Sequence, residues 1–319
     1  MVDFPTLGIP IIPAFNPITK ITEIPFIITV LYSAFLLLEL LCVEEYRSLN
    51  FIFLLIRKYA IMNDWAVILG SSSGFGAAAC RELASCGVNI YGIHLDKKAT
   101  IDSVNSLIDD LKSENVEVYF KNMNAADAKK RSVVVDELQS FGEIHVKVLM
   151  HSLAFGSLRP IIDTSIDNTI QQRQIEMTLD VMASSIIYWT QDLFQAGLLK
   201  RGSQIFGLTS SGGRRQWKTY GAISAAKACL ESCCRQIAFE LSAHGIAANT
   251  IQAGVTKTPA LYKIPENEKM IKLALQLNPG NRLTLPEDVA KTIALLGLSG
   301  NSWLTGNTIR VDGGEDITG

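Results

Sequence analysis

The sequence predicts an α/β fold, a doubly wound, seven-stranded parallel sheet, running from about Trp65 to the C-terminus. Three observations predict it. Apolar runs of four to six residues alternate with helix-length amphipathic stretches, the pattern of repeated strand–helix–strand units. A glycine-rich turn, Gly70-Ser71-Ser72-Ser73-Gly74-Phe75-Gly76, joins the first apolar run to the first amphipathic stretch. The composition also supplies a core, since 48% of the 319 residues are hydrophobic and 19% are charged.

Strands are expected at 66–69, 89–94, 117–120, 146–151, 204–208, 247–251 and 308–311. Helices are expected between them at 75–85, 101–113, 128–141, 170–196, 220–243 and 287–296. In a sheet of this kind the ligand crevice lies beyond the carboxyl ends of the strands. Residues 256–285 form the longest stretch without a strand and contain Pro259, Pro265, Pro279 and Gly280. They are expected to form a loop at the end of a strand, either a substrate lid or a mobile surface segment.

Composition also excludes partners. The net charge is −2 and no Lys/Arg run forms a stripe, so a nucleic-acid partner is not expected. The six cysteines (Cys42, Cys80, Cys86, Cys229, Cys233 and Cys234) lack paired CxxC spacing, and the four histidines (His94, His145, His151 and His244) are dispersed. No zinc site is expected, and the pattern suits a reducing compartment such as the cytoplasm.

The first 61 residues differ in composition and form a separate N-terminal segment ahead of the α/β domain at 62–319. Residues 25–43 approach the roughly 20 apolar residues that cross a bilayer. Glu39 lies within them, and a charge near the centre of a span costs roughly 2.5–3.5 kcal/mol. A second run at 51–56 is too short. Arg47, Arg57 and Lys58 follow, so insertion would leave the remaining chain on the cytoplasmic side. A membrane anchor and a cleaved targeting segment are two readings. The favoured third is that Met62 is the natural start, because it stands just before a strand that opens a self-contained domain.

Glycines at 70, 74 and 76 would let backbone approach a pyrophosphate and enter a helix without Cβ clashes. The amide groups at the helix start, with the dipole behind them, then bind the phosphates. The strand–turn–helix context makes this a dinucleotide site. Its spacing, GxxxGxG, resembles the short-chain dehydrogenase/reductase family. So do Ala253-Gly254-Val255-Thr256-Lys257-Thr258, Val311-Asp312-Gly313-Gly314 and the Ser and Lys elements below. The resemblance covers essentially residues 65–319 and implies a Rossmann fold that binds NADPH or NADH. It implies cofactor contacts from Gly70, Ser72, Ser73, Gly74, Phe75, Gly76, Asp96, Asn124, His151, Ser152 and Lys227. Gly254, Val255, Thr256 and Thr258 would close over the nicotinamide.

The choice of cofactor turns on a short stretch. Asp96 lies twenty residues after Gly76, where an acid would take the ribose 2′-hydroxyl and select NADH. Lys97 and Lys98 follow and would instead meet a 2′-phosphate, or all three form a solvated loop. The resemblance tips the expectation slightly to NADPH.

Most members of the family carry Tyr-x-x-x-Lys. Here Ile223 stands four residues before Lys227, and the nearest tyrosine is Tyr220, seven before it. Positions i and i+7 share a helix face two turns apart. Tyr-x6-Lys resembles the enoyl-acyl-carrier-protein reductase branch, where the phenol serves a thioester carbonyl. Ser210, ten residues before Tyr220, is similar to the NADPH-dependent type of that branch, although Thr209 and Ser211 are equally able to donate. His151-Ser152-Leu153 also resembles enoyl reductases, with His151 expected as a structural residue on the cofactor side. Asp180 stands where ketone reductases place a helix asparagine. Residues 259–261 through Arg282-Leu283 resemble the acyl-binding loop, and Trp217, Phe155 and Tyr262 are expected to line an acyl channel or to pack in the core.

The expected catalytic residues are therefore Tyr220, Lys227 and Ser210. The expected reaction is reduction of the carbon–carbon double bond of a trans-2-enoyl thioester, carried on acyl carrier protein or coenzyme A, in fatty-acid synthesis. The competing readings are a carbonyl reductase for ketones or aldehydes, a non-catalytic dinucleotide sensor, and a membrane-bound lipid reductase that depends on the N-terminal segment. The resemblance also implies a homotetramer built on the helices at 170–196 and 220–243.

Overall fold

The computed structural model describes residues 63–318. The apolar runs at 25–43 and 51–56 and the start at Met62 lie outside the described residues. The first half runs β1 (Asp64–Leu69), α1 (Gly74–Ser85), β2 (Asn89–His94), α2 (Ile101–Lys112), β3 (Val118–Asn122), α3 (Ala128–Ser140) and β4 (His145–His151). There follow α4 (Gln172–Leu179), α5 (Ser185–Gln195), β5 (Gln204–Ser210), α6 (Gly221–Leu241) and β6 (Ala247–Ala253). The chain ends with α7 (Asn267–Leu277), α8 (Pro286–Ser299) and β7 (Thr308–Val311).

The strands form one sheet in the order β3-β2-β1-β4-β5-β6-β7, with every neighbouring pair parallel. The order reverses between β1 and β4, which opens a crevice at their carboxyl ends. Both faces of the sheet are covered, so the strands are apolar on both sides. Trp65, Val67 and Leu69 point to one face, where they pack with α3 (Leu138), α5 (Trp189) and α6 (Leu230). Ala66 and Ile68 point to the other, with α1 (Leu83), α2 (Leu107) and α8 (Ile293). Trp189 is wholly buried, and its indole N–H donates to the Ala125 carbonyl at 2.8 Å, so its polar atom is satisfied.

All seven expected strands and their helices form, with two differences. The single helix expected at 170–196 is interrupted by a five-residue π-helical turn, Asp180–Ser184, between α4 and α5. The His151 ring lies against this turn: its Nε2 is 2.9 Å from Ser185 Oγ and 3.3 Å from the Val181 carbonyl. A polar group reaching into the ladder is a common origin of such widened turns. The stretch 256–285 contains a helix, α7, instead of loop alone. Met270, Leu273, Ala274 and Leu277 give its apolar face the helical period, and Pro265 and Pro279 bracket it.

Candidate active site

The glycine turn leaves β1 with Gly70 at φ +88°, fixed by Gly70 and Ser71 amides that donate to the Ile93 carbonyl at 2.8 and 3.1 Å. A Cβ on Gly70 would lie 2.5 Å from the Ser152 carbonyl oxygen. A Cβ on Gly76 would lie 2.0 Å from the Gly70 carbonyl oxygen. No side chain caps the amino end of α1, and no acid stands in its first turn. Its positive end is therefore available to a ligand anion, and the close-packed glycines fit a dinucleotide pyrophosphate.

A cavity of about 760 Å³ extends from this turn across the carboxyl ends of the strands to α7. Every expected site residue except Gly76 and His151 lines it. Gly76 instead lets α1 pack onto the turn. His151 is fully buried behind the wall, bound to Ser185 and Val181. It is thus no cofactor contact.

Asp96 faces the cavity at the end of β2, which resolves its direction. Thr100 Oγ1 donates to it at 2.8 Å, and His94 Nδ1 lies 3.0 Å away. Partial burial pushes its carboxyl up, but hydrogen bonds from Ser72, Thr100 and His94 outweigh this and hold it below the usual carboxylate range. Lys97 and Lys98 are exposed and off the cavity wall. Asn124 lines the wall beyond, its side-chain oxygen accepting from the Ala126 amide at 3.0 Å.

At the opposite end, Lys227 is buried, and its ammonium donates to the Leu208 carbonyl at 2.6 Å. Burial pushes its pKa down to about 8, opposed by the Glu231 carboxylate. Tyr220 occupies the residue before α6, and the Ser210 hydroxyl at the end of β5 hydrogen-bonds its phenol. Burial raises the phenol pKa above its ordinary value and the Ser210 bond lowers it, with the net shift upward. The phenol is therefore protonated at neutral pH and can donate. The preceding Thr219 sits at φ +66°, a strained conformation for a β-branched residue, where the chain turns into α6.

Among the three candidate hydroxyls the geometry discriminates. Thr209 donates to Glu231 at 2.7 Å, and Ser211 opens the next turn, so Ser210 alone of the three is paired with Tyr220. Ile223 is buried, in reach of a Cβ built on Gly156 at 3.0 Å, and belongs to the core. Asp180 accepts a hydrogen bond from Tyr188 at 3.0 Å.

The cavity continues into an apolar arm. Trp217 and Phe155 line it, as do Pro259, Ala260 and Leu261, whereas Tyr262 is 58% exposed and points elsewhere. Arg282 is tied to Asp288 at 2.6 and 3.0 Å and lies off the wall. The helical form of α7, within the stretch expected as a substrate loop, was not anticipated, nor, among the lining residues, was Glu315 from the C-terminal tail. The period of Met270, Leu273, Ala274 and Leu277 would have revealed the first. Glu315 carries no local signal, since its partner Val255 lies 60 residues away.

Asp64, His145 and Ser203 form an acid–imidazole–hydroxyl chain, with contacts of 3.0 Å on each side of the ring. It joins the amino ends of β1 and β4, away from the cavity. Ser203 is fully buried and donates to the Val146 carbonyl at 2.8 Å, so it is no nucleophile.

The buried His151 makes a testable contribution to stability. Burial, then the Lys227 charge, pushes its pKa down to about 3 from an ordinary 6.5. Below pH 6.5 the unfolded chain binds a proton at this ring that the folded chain does not bind. Stability therefore falls with acid, by about 2 kcal/mol between pH 6.5 and 5. Urea denaturation at pH 7 and 5 should show that component in the parent protein and lose it in His151→Asn. Equal acid dependence in both proteins would exclude the ring as its source.

Residues 70–315 match the family model described as enoyl-(acyl carrier protein) reductase. A chloroplastic NADPH-dependent aldehyde reductase-like protein of Arabidopsis thaliana is 28% identical over 78% of this chain and 93% of its own length. The NADH-dependent enoyl-[acyl-carrier-protein] reductase of Buchnera aphidicola is 30% identical over 53% of this chain and 64% of its own. The crystal structure of the NADH-dependent enoyl-[acyl-carrier-protein] reductase of Aquifex aeolicus superposes with a TM-score of 0.69 at 22% identity, over 81% of this chain and 99% of that one. The chain belongs to the short-chain dehydrogenase/reductase family, in its enoyl-(acyl carrier protein) reductase-like group, and is an NAD(P)H-dependent oxidoreductase.

Proposed function

We propose that the protein reduces the carbon–carbon double bond of a trans-2-enoyl thioester, with the acyl group carried on acyl carrier protein or coenzyme A. The observation that carries this reading is the displaced phenol. One turn before Lys227 stands buried Ile223, which cannot exchange a proton. The donor is Tyr220, two turns before it, with Ser210 on its oxygen. A phenol moved outward along the helix suits the oxygen of a conjugated thioester, which lies three bonds from the carbon that takes the hydride, against one bond in a ketone.

The bound cofactor would supply a hydride to the β-carbon of the substrate. Negative charge then develops on the thioester oxygen, where the Tyr220 hydroxyl donates a hydrogen bond, and a proton taken up at the α-carbon, from solvent or from the phenol, completes the saturated thioester. Ser210 donates to the phenol oxygen and orients it. Lys227 would hold the nicotinamide ribose and place a positive charge beside the developing enolate. The apolar arm toward α7 would take the acyl chain and exclude water from it. Assays with crotonyl thioester and acetoacetyl thioester in parallel test the assignment: faster turnover of the crotonyl substrate supports it. The opposite order supports the carbonyl-reductase reading, which the aldehyde reductase-like relative favours.

The cofactor proposed is NADH. An ionised Asp96 facing the glycine turn would hydrogen-bond a ribose 2′-hydroxyl and repel a 2′-phosphate. This reverses the slight expectation of NADPH drawn from the resemblance. Asp96→Asn is expected to cut the ratio of kcat/KM for NADH over NADPH by about tenfold, roughly 1.4 kcal/mol. An unchanged ratio would exclude Asp96 as the selector.

A further inference from the structure

The seven residues at 312–318 touch three walls of the cavity that come from distant parts of the chain. Asp312 shapes the tail, its carboxylate accepting from the Gly314 and Asp316 amides at 2.9 and 3.2 Å. Glu315 lines the cavity, and its carboxylate accepts from the Val255 amide at 3.0 Å. The wall it holds is close-packed: a Cβ on Gly254 would meet Glu315 Oε2 at 2.9 Å and Thr284 Oγ1 at 2.4 Å.

Asp316 turns the other way, toward the loop between β5 and α6 that leads from Ser210 to Tyr220. Its side chain is 4% exposed and ion-paired with Arg214 and, at 3.2 Å, with Arg215. Gln252 donates to it at 3.0 Å, and Arg310 lies 3.5 Å away. Gln252 also accepts from Arg214 at 3.0 Å, which ties the loop to β6 as well. Arg214, Arg215 and Arg310 are about half exposed and only the carboxylate is shielded, yet one carboxylate shared by several guanidinium groups is a stronger tether than an isolated surface pair. The tail's third anchor is at the end of α7. Thr318 donates to the Leu277 carbonyl at 2.6 Å, and Asn278 donates to the Asp312 carbonyl at 2.8 Å.

We propose that this tail is a positioning element of the site, in which two successive acids serve two different walls. Glu315 holds the segment that would close over the nicotinamide, and Asp316 holds the loop that presents Tyr220. Neither is a catalytic residue. The division predicts separable defects: loss of Glu315 weakens cofactor binding, whereas loss of the Asp316 charge frees the loop and slows turnover. The turnover half rests on the enoyl-thioester reading, but the other half does not.

The test uses the full chain with Asp316→Asn, Glu315→Ala and Glu315→Gln. Amide hydrogen exchange across 211–219 is expected to rise about tenfold in Asp316→Asn, with NADH affinity within about twofold of the parent and kcat about tenfold lower. Glu315→Ala is expected to weaken NADH about tenfold, and Glu315→Gln, which keeps an acceptor for Val255, to restore it. NADPH is titrated in parallel. Parent-like exchange and cofactor binding in all three folded variants would overturn the proposal. So would a uniform loss of every parameter that tracks a lowered unfolding midpoint. Should the parent reduce no enoyl thioester, the function assigned above fails, while the exchange and binding arms still decide the role of the tail.

Discussion

Tyr220→Phe is expected to lower kcat on crotonyl thioester by about a hundredfold or more and to leave NADH affinity within about twofold. The substitution removes one hydroxyl and keeps the ring, so packing before α6 is preserved. The lost hydrogen bond acts where charge develops in the transition state, and removing one such donor costs about 3–4 kcal/mol. The phenol is suited to this part because burial holds its pKa above the ordinary value, so it remains a donor across the neutral range. Ser210→Ala is expected to be milder, since Ser210 acts on the phenol and not on the substrate. Steady-state kinetics with a fluorescence titration of cofactor separates the two parameters. Turnover at the parent rate in Tyr220→Phe would remove the phenol from the mechanism.

Lys227→Met is expected to damage both cofactor binding and turnover, lowering kcat/KM by about a hundredfold or more. Its ammonium would donate to ribose hydroxyls, and a hydrogen bond to a charged group contributes roughly 1.5–3 kcal/mol. Removing it also takes away the positive charge near the developing enolate. Burial has already lowered the pKa of this ammonium to about 8, which gives a second signature. The charged form dominates below pH 8 and is lost as the pH rises through it. Activity should therefore be level from neutral pH to about 8 and then fall toward tenfold per pH unit. Lys227→Arg keeps a charge throughout and should abolish that alkaline limb, whatever its absolute rate. A profile level to pH 10 in the parent would show that the charge of Lys227 is not needed.

Much of this site was legible because its chemistry is written locally. The glycine turn needs Gly70 and Gly76 for close backbone contacts and Gly74 for its positive φ, and such constraints leave few alternatives. The seven-residue interval from Tyr220 to Lys227 is fixed by the helical period. Strand ends were less legible. Both β5 and β6 run two residues beyond the apolar runs, because pairing continues through Ser210 and Ala253 after the hydrophobic pattern stops. The direction of Asp96 depended on His94 and Thr100 closing around it, which no spacing rule encodes.

His151 illustrates the limit of reading a motif position as a contact. The residue stands beside the cavity-lining Ser152, yet alternation along the strand sends its ring behind the wall. The π-helical turn and the tail lay further from view. The former lies where a ring on β4 meets a helix about thirty residues later, and the latter depends on acids whose partners are Val255, Arg214 and Arg215. Side chains that act across such separations leave no period in the sequence. By contrast, α7 did leave one, obscured by the prolines that flank it.

The central claim is that hydride is delivered to the β-carbon of a conjugated thioester. Its most direct test is reduction of crotonyl thioester with NADH deuterated at the transferring position of C4, followed by mass spectrometry and NMR of the acyl product. The account predicts butyryl thioester with one deuterium, at C3. No consumption of the crotonyl substrate, together with deuterium at the carbinol carbon of a product formed from acetoacetyl thioester, would contradict it.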